Sequence, residues 1–362
     1  MCHWLAECGS ARPITRRVKC PSCGLFSNSS DVEPGGVFAW SAAEDAAELI
    51  ASEREGSVKL IVQPDAGLAP ITTAIRDSKK TIDVLIFRLD LQEITRCLEA
   101  AAARGVVVRA LIAHTNRGGE SSLRKLEMRL LEKGITVSRT ADDLVRYHGK
   151  MLIVDHRVLH VYGFNFTSLD IGRSRSFGAT TKNQRLVHEA CRLFEADCTR
   201  QPYTSGFERF VVSPENARDR LGAFIKGART QLLVYDPKVS DPGMLRLLAE
   251  RMHAGVDVRI IGKLGGKRSP LMSERYPGRR LHVRAMIRDG NRAFLGSQSL
   301  RRLELESRRE VGVIVTDSSM VKQMRDVFEE DWALTDSGKR AAKAVELAAT
   351  SESEMPVEAA VR

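Results

Sequence analysis

The sequence contains no run of about 18 or more apolar residues, so it offers no segment long enough to cross a bilayer as a helix. Its first residues also lack the apolar stretch of a signal peptide, and we expect a cytoplasmic protein. Aromatic residues make up only 6% of the chain, which leaves few side chains for stacking on nucleic-acid bases. Seven cysteines are an odd number and do not form a complete disulfide framework, which favours a reducing compartment.

Two of the N-terminal cysteines, Cys20 and Cys23, stand in a C-P-x-C-G turn. Such a turn is typical of one half of a zinc ribbon, but a second turn at the proper spacing is missing. Cys20 and Cys23 are therefore zinc candidates, and the alternative is an N-terminal extension without a metal. The sequence predicts no other metal site and no cofactor.

The chain is basic, with a formal net charge of +10 at pH 7. This balance favours anionic partners, which include phospholipid surfaces, nucleic acids and phosphorylated substrates. Two groups of arginines lie near residue 282 in the sequence: Arg268, Arg275, Arg279 and Arg280, and then Arg301, Arg302, Arg308 and Arg309. They indicate either a solvated basic face or a binding surface.

One sequence pattern occurs twice. The first copy is His148, then Lys150, then Asp155 after four further residues. The second copy begins at His282, 134 positions later, and continues with Arg284 and Asp289. Two copies in matching surroundings indicate an internal duplication, with one histidine contributed by each half.

The residues around each motif predict two similar α/β halves. Short β-branched runs at 81–87 and 106–112 read as strands buried on both faces, and 91–104 between them reads as a helix that stops at Gly105. The first half carries an extra segment with a helix at 121–133. We divide the chain into an extension (1–36), a first half (37–205), a second half (206–335) and a tail (336–362). For the tail we expect a short helix followed by disorder.

Two copies of this motif can supply a complete phosphoryl-transfer site. A neutral histidine is a nucleophile when a carboxylate on one ring nitrogen orients it, and a second histidine can protonate the leaving group. A basic residue two positions after a histidine on a strand points to the same face and can neutralise a phosphoryl oxygen. The pattern itself calls for no metal.

At these residues the chain resembles the phospholipase D superfamily, whose signature is H-x-K-x4-D followed by G-S and a nearby Asn. The resemblance covers roughly residues 57 to 335. His148, Lys150 and Asp155 match the signature fully, whereas the second copy has Arg284 in place of Lys. Gly-Ser survives only in the second half, as Gly296-Ser297.

Two other positions of the signature differ between the halves. The Asn position holds Asn165 in the first half and Ser299 in the second. Glu310 resembles the late acidic residue of the family, and the first half has Ser176 at that place.

The resemblance implies two α/β halves related by a pseudo-twofold axis around one active site, and a monomer with intrachain paired halves. It implies that His148 is the nucleophile, that His282 is the acid and later the base, and that Asp155 and Asp289 orient the rings. Asn165 and Ser297 would assist phosphate binding, with Ser299 and Glu310 in support.

The function predicted is that of a metal-independent phosphodiesterase or phosphatidyltransferase acting on phospholipids, of phospholipase D or cardiolipin synthase type. A phosphohistidine intermediate is part of that prediction, as is a peripheral position at the inner face of the membrane. One alternative is a nuclease-type phosphodiesterase with a nucleic-acid substrate. The other is a catalytically impaired protein that binds phosphate or phospholipid headgroups, for which Arg284, Tyr162 and Ser299 are the grounds.

Overall fold

The computed structural model describes the backbone of residues 17–19, 26–28, 57–115, 119–265 and 270–353, with side chains from 57 to 346 within those ranges. The chain divides into two compact units, Met1–Glu48 and Leu49–Arg362. In the first unit, β1 (Arg17–Lys19) pairs antiparallel with β2 (Phe26–Asn28). Cys20 and Cys23 lie outside the described residues, so the zinc prediction stays a prediction.

The second unit contains two mixed sheets. The first sheet consists of β3 (Lys59–Gln63), β4 (Thr81–Ile86), β5 (Val107–Ile112), β6 (Thr136–Arg139), β8 (Met151–Val154), β9 (Val158–Tyr162), β10 (Ser174–Thr181) and β14 (Arg280–Leu281). Its strand order is β14-β10-β9-β8-β4-β5-β6, and β3 also pairs with β10.

The second sheet repeats this arrangement. It consists of β7 (Arg146–Tyr147), β11 (Phe210–Ser213), β12 (Gln231–Val239), β13 (Asp257–Leu264), β15 (Ala285–Arg288), β16 (Arg292–Gly296) and β17 (Arg308–Val315). Its order is β11-β17-β16-β15-β12-β13, and β7 also pairs with β17. Each sheet therefore includes one short strand, β14 or β7, that comes from the other half of the sequence.

The helices of the second unit form layers around the two sheets. They are α1 (Ala69–Asp77), α2 (Gln92–Ala103), α3 (Gly119–Glu132), α4 (Ser168–Arg173), α5 (Gln184–Thr199), α6 (Ala217–Lys226), α7 (Pro242–His253), α8 (Arg302–Glu306), α9 (Ser318–Ala333) and α10 (Asp336–Ser353). Among the described helices, none is long and apolar enough to span a bilayer.

Three apolar cores hold these layers together. Side chains of α1, α2 and α3 pack on one face of the first sheet, and those of α6 and α7 pack on one face of the second. The largest core combines residues of both sheets with α5 and α9. Strand β4 shows how the sequence produces this layering, because Val84 joins an outer core whereas its neighbour Leu85 joins the shared core.

The α/β fold with two similar halves is thus confirmed, as are the strands at β4 and β5 and the helix α2 between them. Gly105 follows α2 with a φ of 87°, a left-handed conformation that favours glycine. The extra segment of the first half contains the predicted helix, α3, and also strand β6, which the sequence analysis missed. The helix of the tail runs to Ser353 and is longer than the short helix expected there.

Candidate active site

The two motif histidines stand where the chain crosses from one sheet to the other. His148 follows β7, which pairs parallel with β17, and its backbone N–H donates to Arg309 O at 2.7 Å. His282 follows β14, which pairs parallel with β10, and its N–H donates to Arg175 O at 2.9 Å. Arg175 and Arg309 are 134 positions apart, as the histidines are, so the pseudo-twofold relation extends to individual hydrogen bonds.

His148 is buried against a carboxylate from the other half. Its Nδ1 lies 2.9 Å from Glu310 Oε2, and its ring packs edge-on to Phe87 with centroids 4.9 Å apart. Burial lowers the pKa of His148 to about 4, although the charge of Glu310 opposes this shift. The imidazole is therefore neutral at pH 7, with Nδ1–H donating to Glu310 and Nε2 left as the basic nitrogen.

Glu310 is the orienting group of this histidine. Burial alone would raise its pKa, but its contacts with His148 and the charge of Lys150 lower that pKa to about 2. The sequence predicts Glu310 as a supporting residue, and the family resemblance implies that Asp155 has the orienting role. The hydrogen bond to His148 shows that Glu310 occupies that position.

Lys150 is fully buried beside His148. Its Nζ donates to the backbone carbonyl oxygen of His148 and lies 3.1 Å from His148 Nδ1. Because an Nδ1 that donates to a carboxylate cannot also accept from an ammonium group, we assign the hydrogen bond of Lys150 to the carbonyl. Burial, together with the charge of Arg284, lowers the pKa of Lys150 to about 7.

Arg284 takes the corresponding place in the second half. Its Nη1 donates to the carbonyl oxygen of His282 at 3.1 Å, which repeats the contact of Lys150 with His148. Its Nε lies 3.3 Å from Ser299 Oγ, and Nη1 lies 3.4 Å from Gly163 O in the first half. The arginine thus occupies the lysine position of the motif and uses its extra donors on neighbouring groups.

His282 is buried but less firmly held than His148. Its Nδ1 lies 3.6 Å from Asp170 Oδ2 and has no hydrogen bond among the described residues. Burial lowers the pKa of His282 well below its usual value, and the charges of Arg284 and Arg280 lower it further. Lys150 and His148 contribute to the same shift, so the groups of both halves act on one another in a single site.

Asp155 and Asp289 do not orient the histidines, contrary to the prediction. Asp155 accepts hydrogen bonds from the backbone N–H groups of residues 79, 80 and 81 at 2.6 to 3.1 Å. Asp289 accepts from those of 229, 230 and 231 at 2.8 to 3.2 Å. Both have positive φ, 53° and 51°, which suits Asp at a tight turn. Each aspartate therefore binds the backbone at the start of a neighbouring strand, β4 or β12, at the end of its motif that is distant from the histidine.

The remaining predicted residues lie in the same cluster. Ser297 Oγ accepts from Val311 N at 3.1 Å, next to Glu310. Asn165 Nδ2 donates to Asp170 Oδ2 at 2.9 Å, while Asn165 Oδ1 is buried without a partner among the described residues. A direct role of Asn165, Ser297 and Ser299 in holding phosphate stays a prediction.

Asp170 is the site residue that the sequence analysis missed. It lies on α4, five residues after Asn165, and it forms an ion pair with Arg280 as well as its contact with His282. One feature of the sequence indicates that such a residue is needed: Ser176 occupies the position equivalent to Glu310, so the first half lacks its own late acidic residue. Within the described residues, no group of His, Cys, Asp and Glu has the arrangement of a metal site.

The fold and site define a two-half α/β protein with paired histidines between the halves. A family model described as "Cardiolipin synthase, PLD-like domain" matches residues 71–198 and 221–332, more than half of the chain. The chain therefore belongs to this family of the phospholipase D superfamily, and membership supports an enzyme that acts on phosphodiester bonds. No curated protein matches the sequence.

Solved structures agree with the fold. The chain is similar to a polyphosphate kinase from Porphyromonas gingivalis, with 20% identity and a TM-score of 0.64 over 76% of this chain, but it spans only 50% of that kinase. It is also similar to a phosphatidylserine synthase from Haemophilus influenzae, with 10% identity and a TM-score of 0.61 over 80% of this chain and 90% of that one. At these identities, the likeness shows the fold alone.

Proposed function

We propose that the protein is a phosphodiesterase or phosphatidyltransferase of phospholipase D or cardiolipin synthase type, acting on phospholipids through a phosphohistidine at His148. The observation that carries the proposal is the pair formed by His148 and Glu310. A buried, neutral imidazole whose Nδ1–H donates to an ionised carboxylate presents Nε2 as a nucleophile.

In the first step, His148 Nε2 attacks the phosphorus of the phosphodiester. A P–N bond forms, and the P–O bond to the leaving alcohol breaks. His282, protonated at Nε2 when the anionic substrate is bound, gives that proton to the leaving oxygen. The covalent product is a phosphohistidine that carries the remaining phosphomonoester.

In the second step, the reaction runs back through the same groups. Nε2 of His282, now neutral, removes a proton from water or from an alcohol, whose oxygen attacks phosphorus. A new P–O bond forms, the P–N bond breaks, and His148 is free again. Water as the acceptor gives hydrolysis, and an alcohol such as a second lipid headgroup gives transphosphatidylation.

Two cations stabilise the charge that develops on the phosphoryl oxygens. Lys150 and Arg284 come from opposite halves, and each donates to the carbonyl of its own motif histidine. They flank the two imidazoles in a buried setting, where charge is poorly screened and a fixed cation acts strongly on a phosphoryl group. Neither role requires a metal ion.

The surface beside the site supports a lipid substrate. The short helices α4 and α8 border the site, because Asp170 of α4 contacts His282 and the α8 cap residue Ser307 accepts from Val145 near His148. Each helix exposes one leucine at the equivalent position, Leu169 at 45% and Leu303 at 39%. Exposed apolar side chains of this kind can enter the headgroup region of a membrane.

The charge beside Leu169 fits an anionic membrane. Arg173 on α4 is exposed, whereas Asp170 of the same helix is buried. On α8, Glu304 is buried, but the exposed Arg302 is paired with the exposed Glu306. Basic residues near a membrane are attracted to the anionic lipids of the cytoplasmic leaflet. We therefore propose a peripheral enzyme at the inner face of the membrane.

The test is a substrate panel run in the presence of a chelator. Purified protein is offered phosphatidylglycerol vesicles, phosphatidylcholine vesicles with an alcohol, and single-stranded DNA. We expect turnover of lipid, loss of that turnover in His148→Ala, and retention in His188→Ala, which removes an exposed histidine of α5.

Turnover of DNA without lipid turnover would overturn the lipid assignment in favour of the nuclease alternative. Binding of anionic vesicles without turnover of any substrate would favour the catalytically impaired alternative. Loss of activity in the chelator, with recovery on adding a divalent cation, would contradict the two-histidine mechanism.

A further inference from the structure

The two histidines have different carboxylate partners, although the halves are related by a pseudo-twofold axis. His148 has Glu310 of strand β17. The equivalent of Glu310 in the first half is Ser176 of β10, whose Oγ is buried and has no hydrogen-bond partner among the described residues. His282 therefore lacks the acidic residue that symmetry would supply.

A different carboxylate stands near His282. Asp170 is buried with a side-chain exposure of 4%, and its Oδ2 lies 3.6 Å from His282 Nδ1. It comes from α4, whose N-cap Thr167 accepts from Asp170 N and fixes the first turn. The symmetry-related residue, Glu304 of α8, is instead paired with Arg301 and Arg308, so only the first half uses this helix to supply a carboxylate to a histidine.

Other contacts fix where the carboxylate of Asp170 points. Arg280 Nη1 donates to Oδ1 at 2.6 Å, while the backbone N–H and Nδ2 of Asn165 both donate to Oδ2 at 2.9 Å. Arg280 is two residues before His282 on the crossing strand, so the ion pair also ties that strand to α4. These donors hold Oδ2 towards Nδ1 of His282.

We propose that Asp170 is the positioning residue of His282 and takes the place that symmetry assigns to Ser176. It keeps the proton of the neutral ring on Nδ1, which directs Nε2 to the substrate, and it stabilises the imidazolium in the protonated state. The contact of 3.6 Å closes to a hydrogen bond when His282 gains its second proton. The catalytic role of His282 in this inference rests on the proposed function, whereas the position of the proton on its neutral ring does not.

This arrangement separates the roles of the two histidines. Glu310 forms a hydrogen bond with His148, whereas the carboxylate of Asp170 also accepts hydrogen bonds from Arg280 and Asn165. These donors weaken the attraction of Asp170 for a proton on His282. A less stabilised imidazolium is a stronger acid. His282 is thereby suited to protonate the leaving oxygen, and His148 to attack phosphorus.

The first test compares two aspartates that differ in their relation to a histidine. Asp170→Asn removes the charge next to His282. Asp241→Asn makes the same change at an aspartate that is equally buried, with 3% side-chain exposure, and paired with Arg218, but that has no histidine contact in the structure. We expect Asp170→Asn to lower kcat about 100-fold with little change in KM, and to shift the pH dependence of kcat. We expect Asp241→Asn to leave kcat and its pH dependence unchanged.

The second test restores the carboxylate at the symmetric place. In Asp170→Asn/Ser176→Glu the new glutamate has the same symmetric position relative to His282 that Glu310 has relative to His148. We expect kcat of this double variant to be at least tenfold higher than kcat of Asp170→Asn. A double variant no more active than Asp170→Asn, although it folds with the circular dichroism of the wild type, would overturn the proposal.

The third measurement does not depend on activity. Nitrogen NMR of ¹⁵N-histidine-labelled full-length protein, with His282→Gln to assign the signal, reports the tautomer of the neutral ring. We expect the proton on Nδ1 in the wild type and a mixture of tautomers in Asp170→Asn. If no substrate is turned over but this difference is seen, the proposed function fails and the positioning role stands. An unchanged tautomer in a variant with unchanged kcat contradicts the role of Asp170.

Discussion

Lys150 is the site residue that we expect to change its protonation state near neutral pH. Burial lowers its pKa to about 7, so the cation is present below that pH and is lost as the pH rises through it. Because the ammonium group is proposed to neutralise a phosphoryl oxygen, we expect its loss to add about one further factor of ten per pH unit above pH 7 to the fall in kcat/KM that deprotonation of His282 already causes. A profile of kcat/KM against pH, measured on the free enzyme with soluble substrate, checks this expectation.

Lys150→Arg is the matched variant for that profile. A guanidinium group stays charged throughout the range, and Arg284 shows that the symmetric position holds one. The additional fall in kcat/KM above pH 7 should disappear in this variant, whatever its absolute rate, and leave the fall due to His282. A profile that steepens at the same pH in both proteins would mean that a group other than Lys150 is titrating there.

Arg284 should serve as the phosphate-binding cation of the second half. Since Lys150 and Arg284 make the same contact with their histidine carbonyls, Arg284→Lys should keep kcat/KM within a few-fold of the wild type. Arg284→Ala should lose about 100-fold or more, the usual effect of removing one group that stabilises transition-state charge. A large gain in Arg284→Lys would instead show that the arginine impairs this half.

At the scale of the residue, the sequence predicts which histidines and cations meet, because the duplicated spacing puts them at equivalent places. It does not predict their carboxylate partners. Glu310 and Asp170 reach the rings from strands or helices far away in the sequence, and only the paired folding of the halves brings them together. The family resemblance implies that the Asp of each motif orients the ring, but the four residues of strand β8 lie between His148 and Asp155 and carry the carboxylate to the far end of the strand.

At the scale of the element, Asp155 and Asp289 anchor the strands that carry the site. Each accepts several backbone N–H groups at the start of β4 or β12, and these donors lower the pKa of each carboxyl below its usual value although burial opposes the shift. A carboxylate that binds donors in this way contributes about 2 kcal/mol. Asp155→Ala should therefore lower the free energy of unfolding by about that amount.

The same variant separates a structural role from a catalytic one. Folded Asp155→Ala, assayed well below its Tm, should keep kcat within a few-fold of the wild type. Since the folded pKa is depressed, the stabilisation is present above about pH 4 and is lost as the pH falls through the folded pKa. A 1000-fold loss of kcat in protein of unchanged Tm would return the orienting role to Asp155.

Element by element, the sequence predicts the repeated strands and the helix between them, since their apolar patterns are strong and Gly105 marks the end of α2. Strand β6 is missed because only four residues pair with β5 and none of them is fully buried. The short strands β7 and β14 are two residues each and exist only through pairing with the opposite half. No local pattern can predict a strand of that kind.

At the scale of the whole molecule, the two halves are joined by buried ion pairs as well as by the shared core. Arg309 of β17 pairs with Asp197 of α5, and Arg175 of β10 pairs with Asp331 of α9. Both arginine–aspartate pairs cross between halves at symmetric positions. We therefore expect the two halves to unfold together, in one transition.

Removing one cross-half arginine tests this coupling. Arg309→Met leaves Asp197, whose side chain is 1% exposed, without its charge partner. Burial raises the pKa of Asp197 to about 7 even beside Arg309, so the carboxyl takes up a proton in the variant, and we expect a loss of about 2 to 3 kcal/mol. Arg259→Met is the control, because Arg259 is partly exposed and its partners lie within the second half; its cost should be about 1 kcal/mol or less. Urea denaturation should show a single transition in each protein. Two separate transitions in the wild type would contradict the coupling.

The central claim is that His148 carries the covalent intermediate, and the most direct measurement is to find it there. Wild-type, His148→Ala and His282→Ala proteins are mixed with phosphatidylglycerol, quenched in alkaline denaturant, digested and analysed by mass spectrometry. We expect a phosphatidyl group on the peptide that contains His148 in the wild type, little of it in His282→Ala because its formation needs the acid, and none in His148→Ala. An adduct on His282, or rapid lipid turnover without any adduct on His148 in the wild type, would contradict the claim.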